Sequence, residues 1–226
     1  AYKIASFELC DLPLIARVAN AGKPIIMSTG LSSLDEIDDA VKVANQEGCE
    51  EIILLHCVSS YPSKVEESCL SNIKILQERY NLNIGLSDHT LDNTSSIIAA
   101  SMGACVIEKH FIDSRIRGGV DSSFSIEPEE LRELKKITTQ AWQSVRNSEF
   151  ERPSIEKENI KFKRSLYFAK DLSAGDKIED SSIKRIRPGY GLAPKYFYEI
   201  VGKTLKNDVK FGQKVSLIDK TPTVDL

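Results

Sequence analysis

Three histidines, all that the chain has, sit at or just past short apolar runs: His56 after Ile52-Ile53-Leu54-Leu55, His89 at the end of Ile84-Gly85-Leu86-Ser87-Asp88, and His110 at the end of Val106-Ile107-Glu108-Lys109. Such a run reads as a buried strand. A strand delivers the residues at its end to one rim of its sheet. In parallel α/β proteins ligands bind at the rim formed by the carboxyl ends of the strands. Three imidazoles there, two of them beside carboxylates, point to a metal or acid–base site; the alternative is that each satisfies a local hydrogen bond. Other chemistry collects at the same places. Lys3 and Ser6 lie on the first strand and Glu8 just after it. Ser28-Thr29-Gly30 ends the second, Ser59 and Tyr61 come after the third, Ser87 and Asp88 lead into His89, and Glu108 and Lys109 into His110. Lysine, serines and a glycine turn supply donors for a carboxylate or phosphate. Two imidazoles with a nearby Glu suit a divalent cation that keeps open positions. Ser28-Thr29-Gly30 taken alone says little, because such triplets also cap helices.

The elements that must position these residues alternate from residue 1 to about 147. Strands are expected at Tyr2–Ser6, Pro24–Ser28, Glu51–His56, Asn83–Leu86 and Cys105–Glu108. Helical spacing appears between them. Ser33–Gln46 opens with a Ser33-x-x-Glu36 capping box, Leu70–Tyr80 carries Leu70, Ile73 and Leu76, Asn93–Met102 is nearly all small or apolar, and Pro128–Val145 has proline in its first turn. Five βα units in succession predict a parallel sheet. Five are too few to close an eight-stranded barrel, which takes about 250 residues. The sheet is therefore expected to be open, or to be the later part of a barrel whose first three strands precede Ala1; the chain begins inside a strand pattern and without methionine. Residues 148–160 are charged and read as a linker. Residues 161–226 read as a small β-rich domain with strands at Arg164–Ala169, Ile183–Arg187 and Lys214–Ile218. Within it Asp171-Leu172-x-x-Gly175-x-x-Ile178 is echoed by Asp208-Val209-x-x-Gly212-x-x-Val215, each a turn with glycine at its tip.

Composition bounds the function. Of 226 residues 41% are hydrophobic and 28% charged, as in ordinary globular proteins. A net charge of −3 gives no basic field for nucleic acid, so an anionic substrate needs local cations. No run approaches the ~18 apolar residues of a membrane span, and neither a nucleic-acid nor a membrane partner is expected. The five cysteines are odd in number, scattered and without a C-x-x-C pair; Cys57 and Cys105 lie in or beside apolar runs and read as buried reduced thiols, which points to a cytoplasmic protein.

The motifs together resemble the nonulosonic acid synthases, the sialic and pseudaminic acid synthases. The resemblance is carried by Tyr2-Lys3-Ile4-Ala5-Ser6-Phe7-Glu8, Ser28-Thr29-Gly30, His56-Cys57-x-x-x-Tyr61-Pro62, Gly85-Leu86-Ser87-Asp88-His89-Thr90 and Ile107-Glu108-Lys109-His110-Phe111. It continues in Arg164-Ser165-Leu166-Tyr167 and Arg187-Pro188-Gly189-Tyr190-Gly191-Leu192, which are similar to the family's carboxyl-terminal antifreeze-like (SAF) domain. It implies a TIM (β/α)8 barrel entered at its fourth strand, a linker and a SAF domain. It also implies condensation of phosphoenolpyruvate with an N-acetylated amino sugar by a metal-dependent transferase. On that resemblance His89 and His110 would hold Mn²⁺ or Mg²⁺, and Lys3, Ser6, Ser28 and Ser87 would bind phosphoenolpyruvate. Glu108 would handle protons. Glu8, Tyr61 and Asp121 would face the sugar, and Arg187 would reach the partner's site in a domain-swapped homodimer. His56 is not carried over as a ligand. Asp121-Ser122-Ser123-Phe124-Ser125 is similar to the Asp-Ser-x-Phe-Ser run of pseudaminic acid synthases, which favours that sugar over those of the sialic and legionaminic acid synthases. A reading of a different class is a non-catalytic remnant whose SAF domain binds carbohydrate or a partner subunit; the intact set Lys3, Ser28, His89, Glu108 and His110 weighs against it.

Overall fold

In a computed structural model, which describes residues 1–145 and 149–216, the chain divides into two units, Ala1–Ser148 and Glu149–Leu226. The first holds β1 (Tyr2–Ile4), α1 (Leu12–Ala19), β2 (Ile25–Ser28), α2 (Leu34–Gln46), β3 (Ile52–Cys57), α3 (Ser71–Tyr80), β4 (Asn83–Asp88), α4 (Thr94–Ser101), β5 (Ile107–Lys109) and α5 (Pro128–Ser144). Among the described residues the strands form one sheet in the order β1-β2-β3-β4-β5, every neighbouring pair parallel. It is the five-stranded part of a (β/α)8 barrel, as expected.

Strand alternation sorts the side chains. Ile4, Ile25, Met27, Ile52, Leu54, Ile84 and Leu86 face the helices and are at most 3% exposed, packing with Ile15 and Ala19 of α1, Ile37, Ala40 and Ala44 of α2, and Ile73 and Leu76 of α3. Each such burial contributes roughly 1.5–3 kcal/mol. The opposite parity therefore shows Lys3, Ser28, Cys57, Ser87 and Glu108 on the other face, the face that becomes the inside of a barrel.

Most strand ends shift by a residue or two from the sequence expectation, and two of the shifts bear on the site. β1 stops at Ile4 because Ser6–Glu8 curls into a 3-10 turn, closed by the Glu8 carboxylate accepting from Ala5 N at 2.9 Å. β4 runs on to Asp88, paired with Lys109. The helix α1 has no counterpart in the sequence expectation. Asp11 caps it by accepting from Leu14 N at 3.1 Å, and Pro13 sits in its first turn. The Ser33–Glu36 capping box on α2 is present in both directions.

The second unit opens with an exposed run of 3-10 turns, Ser154–Phe162. It then carries β6 (Ser165–Phe168), antiparallel β7 (Ile183–Ile186) and the short α6 (Phe197–Ile200), around a core of Leu166, Phe168, Ile178, Ile183, Phe197, Ile200, Leu205, Val209 and Val215. The third expected strand is represented by Lys214 bridging Tyr167 and by Val215 N donating to Leu166 O at 2.9 Å; Leu217 and Ile218 lie outside the described residues. The echoed turns face each other, with Leu172 bridged to Val209. Each aspartate caps the other copy: Phe211 N donates to Asp171 Oδ1 at 2.7 Å, and Ala174 N to Asp208 Oδ1 at 2.8 Å. Gly175 and Gly212 hold φ of 91° and 78°, the left-handed region that a side chain resists.

Candidate active site

The carboxyl ends of β1 to β5 bring most of the expected residues together. Ser87 lies opposite Glu108 in the β4–β5 ladder, and its Oγ donates to Glu108 Oε1 at 2.8 Å. Lys3 Nζ reaches the same oxygen at 3.3 Å from the far edge of the sheet, both side chains remaining partly open to solvent. Lysine, serine and carboxylate thus converge inside the curve of the sheet. Ser6 Oγ accepts from Gly30 N at 3.0 Å, tying the end of β1 to the turn after β2. Gly30 is required there because a Cβ would meet Ser59 Oγ at 2.2 Å and Ser6 Oγ at 2.8 Å. Ser28 is 2% exposed, and its Oγ is the buried side-chain polar atom without a hydrogen-bond partner among the described residues. A buried hydroxyl with no partner is uncommon and marks a place where a ligand group can complete the bonding.

The rings of His89 and His110 have centroids 5.3 Å apart. Two imidazoles sharing one ion at ~2.1 Å per Zn–N-type bond put their centroids about 5 Å apart, so the pair is spaced for one cation. His89 Nδ1 donates to the Val58 carbonyl at 2.8 Å, and His110 Nδ1 lies 3.4 Å from Asp121 Oδ2. His89 thus has Nδ1 committed to a carbonyl and leaves Nε2 available, the arrangement typical of metal-binding histidines, and His110 has a carboxylate close to its Nδ1. Among the described residues there is no group of three or more His, Cys, Asp or Glu able to hold an ion, so the two histidines would supply part of a coordination sphere completed by water or substrate. The donor set fits a divalent cation with open positions.

Tyr61 stacks against His89 at 4.2 Å, and Phe124 lies 5.1 Å from His110 and 5.9 Å from Tyr61, walling both imidazoles with aromatic rings. Of the two cysteines expected as buried thiols, Cys105 is exposed, because it precedes β5 rather than lying within it, whereas Cys57 is buried and lines this face, its Sγ 3.8 Å from Ser59 Oγ and 4.0 Å from His89 Nδ1. Burial opposes its thiolate, yet contacts with His89, Ser6 and Ser59 outweigh that and hold its pKa below the ordinary value. At His89 burial opposes the imidazolium, but hydrogen bonds to Cys57 and Val58 prevail and its pKa is raised. Strand alternation was the signal that could have placed Cys57 here, since it shares parity with Leu55 rather than with His56.

Three predicted positions stand apart. His56 points to the helix side, where Nε2 bonds Ser68 O at 2.7 Å; burial pushes its pKa down. It takes the local hydrogen bond that was the alternative for each histidine. The Glu8 carboxylate is engaged with Ala5 N. Arg187 belongs to the second unit, exposed one residue past β7. Among the described residues no helix is long and apolar enough to cross a membrane.

Comparison with known proteins adds independent weight. The chain is 34% identical over 212 residues to a pseudaminic acid synthase of Campylobacter jejuni, covering 94% of this chain and 62% of that protein. It is 37% identical over 222 residues to a pseudaminic acid synthase of Helicobacter pylori, covering 96% of this chain and 64% of that protein. It therefore spans a little over three-fifths of the length of these relatives. A crystal structure of an N-acetylneuraminic acid synthetase from Leptospira borgpetersenii in complex with citrate superposes with a TM-score of 0.66 at 36% identity, covering 71% of this chain and 56% of that one. A SAF domain model matches residues 163–216. With residues 1–149 matched by the NeuB family model, the stretch that carries every rim residue described above, the chain belongs to the NeuB family of nonulosonic acid synthases.

Proposed function

We propose that this chain carries the site at which phosphoenolpyruvate condenses with the open-chain aldehyde of an acetamido sugar, giving a nine-carbon nonulosonic acid. The observation that supports it most is the convergence of Lys3, Ser87 and Glu108, from opposite edges of the sheet, beside two imidazoles spaced for one cation. The phosphoenolpyruvate C3 forms a bond to the aldehyde carbon, water adds at C2, and phosphate leaves. Lys3, Ser6, Ser28 and Ser87 bind the anionic phosphate and carboxylate, the lysine as a point charge and the hydroxyls as donors. His89 and His110 would hold a divalent ion, Mn²⁺ or Mg²⁺, which would supply Lewis-acid polarisation of the aldehyde oxygen. Glu108 takes a proton from the attacking water or from the sugar hydroxyl, as a general base. Ser87 Oγ and Lys3 Nζ, both on Oε1, aim its carboxylate. Tyr61 and Asp121 face the sugar, and Phe124 gives that end an apolar wall suited to a deoxygenated carbon. The Asp121–Ser125 run, with relatives of that name, favours the sugar of the pseudaminic acid synthases.

Arg187 acts in the partner's barrel of a domain-swapped homodimer, where its planar donors bind the acyl-amino oxygen. Competition between acetamido sugars under limiting enzyme tests the substrate. Preference for the sugar of the legionaminic or sialic acid synthases would replace it. Mixing an Arg187→Ala subunit with a His110→Ala subunit tests the swap: roughly half the activity should return in the heterodimer, because one site then carries neither lesion. No recovery in confirmed heterodimers would refute action across subunits.

A further inference from the structure

The last rungs of the β4–β5 ladder alternate in face. Ser87 opposite Glu108 points into the sheet's curve, and Asp88 opposite Lys109 points to the helix side. His89 and His110 come immediately after and return to the site. The Asp88–Lys109 rung is a deeply buried ion pair, with side chains 1% and 2% exposed. Lys109 Nζ donates to Asp88 Oδ2 at 2.8 Å, Thr90 O at 2.6 Å and Asp92 O at 3.0 Å, using all three of its hydrogens. Asp88 Oδ1 accepts from Thr90 N and Thr90 Oγ1 at 2.8 and 2.7 Å, and Oδ2 from Ser96 Oγ of α4 at 2.6 Å. One saturated network thus ties together β4, the loop after it, α4 and β5.

None of these atoms has a part in the proposed chemistry. Stability does not account for them either, since well-packed apolar residues commonly do as well as a buried ion pair. What the network does have is place. β5 is three residues long, and a one-residue slip would send Lys109 into the site and turn His110 away from it. An amine that must meet a carboxylate and two carbonyls at once fits only one register.

We propose that Asp88 and Lys109 are positioning residues that fix the register of β5 against β4, and with it the separation at which His89 and His110 share one cation. This rests on the reading of the two histidines as ligands. The probe is Mn²⁺ alone. Its affinity is measured by loss of the free-ion electron paramagnetic resonance signal, and the number of coordinated imidazole nitrogens by pulsed resonance. The parent should show two nitrogens and His110→Ala one. Lys109→Met should bind Mn²⁺ about 10- to 100-fold more weakly and show one. Lys109→Met leaves Asp88 buried without a counter-charge, so the pair Asp88→Asn with Lys109→Met is measured beside it; it removes the cross-strand link without stranding a charge and should show the same loss. Leu134→Ala, a core change on α5, serves as a control lowered in stability, and it should keep both nitrogens and the parent affinity. Parent affinity with two nitrogens in the folded double variant overturns the positioning role while leaving the ligand reading intact. Equal loss in Leu134→Ala overturns it as well, since general loosening would then suffice. No imidazole nitrogen in the parent would overturn the ligand reading, and the positioning role with it.

Discussion

Ser28→Ala should move stability and affinity in opposite directions. The hydroxyl belongs to a residue 2% exposed and has no partner among the described residues. A buried hydroxyl left unpaired costs about 1–3 kcal/mol. Alanine deletes that cost and gives up only the few dispersion contacts of one oxygen. The free protein should therefore gain about 1 kcal/mol, or ~2–4 °C in melting temperature for a unit of this size. Toward phosphoenolpyruvate the sign reverses. A hydroxyl donating to a charged oxygen is worth about 1.5–3 kcal/mol, so Kd should rise roughly 10- to 100-fold. Scanning calorimetry with and without phosphoenolpyruvate reads both effects, because the ligand-induced shift depends on ligand concentration over Kd. A lower melting temperature in the free variant would show that the hydroxyl was already satisfied. An unchanged Kd would remove Ser28 from the binding subsite.

Glu108→Gln keeps the Ser87 contact but cannot take a proton, and kcat should fall about 10²- to 10⁴-fold with little change in KM; an unchanged kcat assigns the base elsewhere. Asp38 of α2 is held at about 2, below its usual 3.8, by hydrogen bonds from Arg79 and then Tyr80 of α3. Its contribution to stability is present above its ordinary pKa and lost as pH falls through about 2, so Asp38→Asn should flatten the acid limb of the stability profile; an unchanged limb refutes the clamp. Tyr80, raised to about 12 by burial and then by Asp38, adds stability below pH ~10 that disappears as pH rises through 12. Phe168→Ala, at a position 1% exposed, should cost the second unit about 3–5 kcal/mol and leave the melting of the first unit in place; a shift of both transitions would show that they unfold as one.

Periodicity makes the sheet readable because buried parallel strands are nearly continuous apolar runs, and Ile52–Leu55 and Ile84–Leu86 are such runs. The rim residues come with them, since a strand's end is fixed by where its run stops. Less visible is whatever depends on the last residue of an element. Ser6 looks like the end of the first strand until a bond from Ala5 N to the Glu8 carboxylate turns the chain aside. α1 escapes notice because its apolar face is short and its start depends on one aspartate. Cys57 and His56 are adjacent, and the histidine is the one whose type suggests chemistry; parity, a property of the paired strand, sends the cysteine into the site and the histidine beneath it. Asp88 and Lys109 are ordinary charges in a sequence and become a pair only when two strands are placed in register.

The mutual capping of Asp171 and Asp208 makes the second unit an interlocked object. Each turn is closed partly from within, Ser173 N donating to Asp176 Oδ2 at 2.8 Å and Lys210 N to Gln213 Oε1 at 3.1 Å, and is finished by an aspartate that arrives with the other half. Severed in the exposed stretch near Tyr190, the unit should yield two unstructured pieces that regain their shape on mixing. Such complementation belongs to paired objects more than to a single folded strip. A change in either turn should be felt in the other as strongly as in itself.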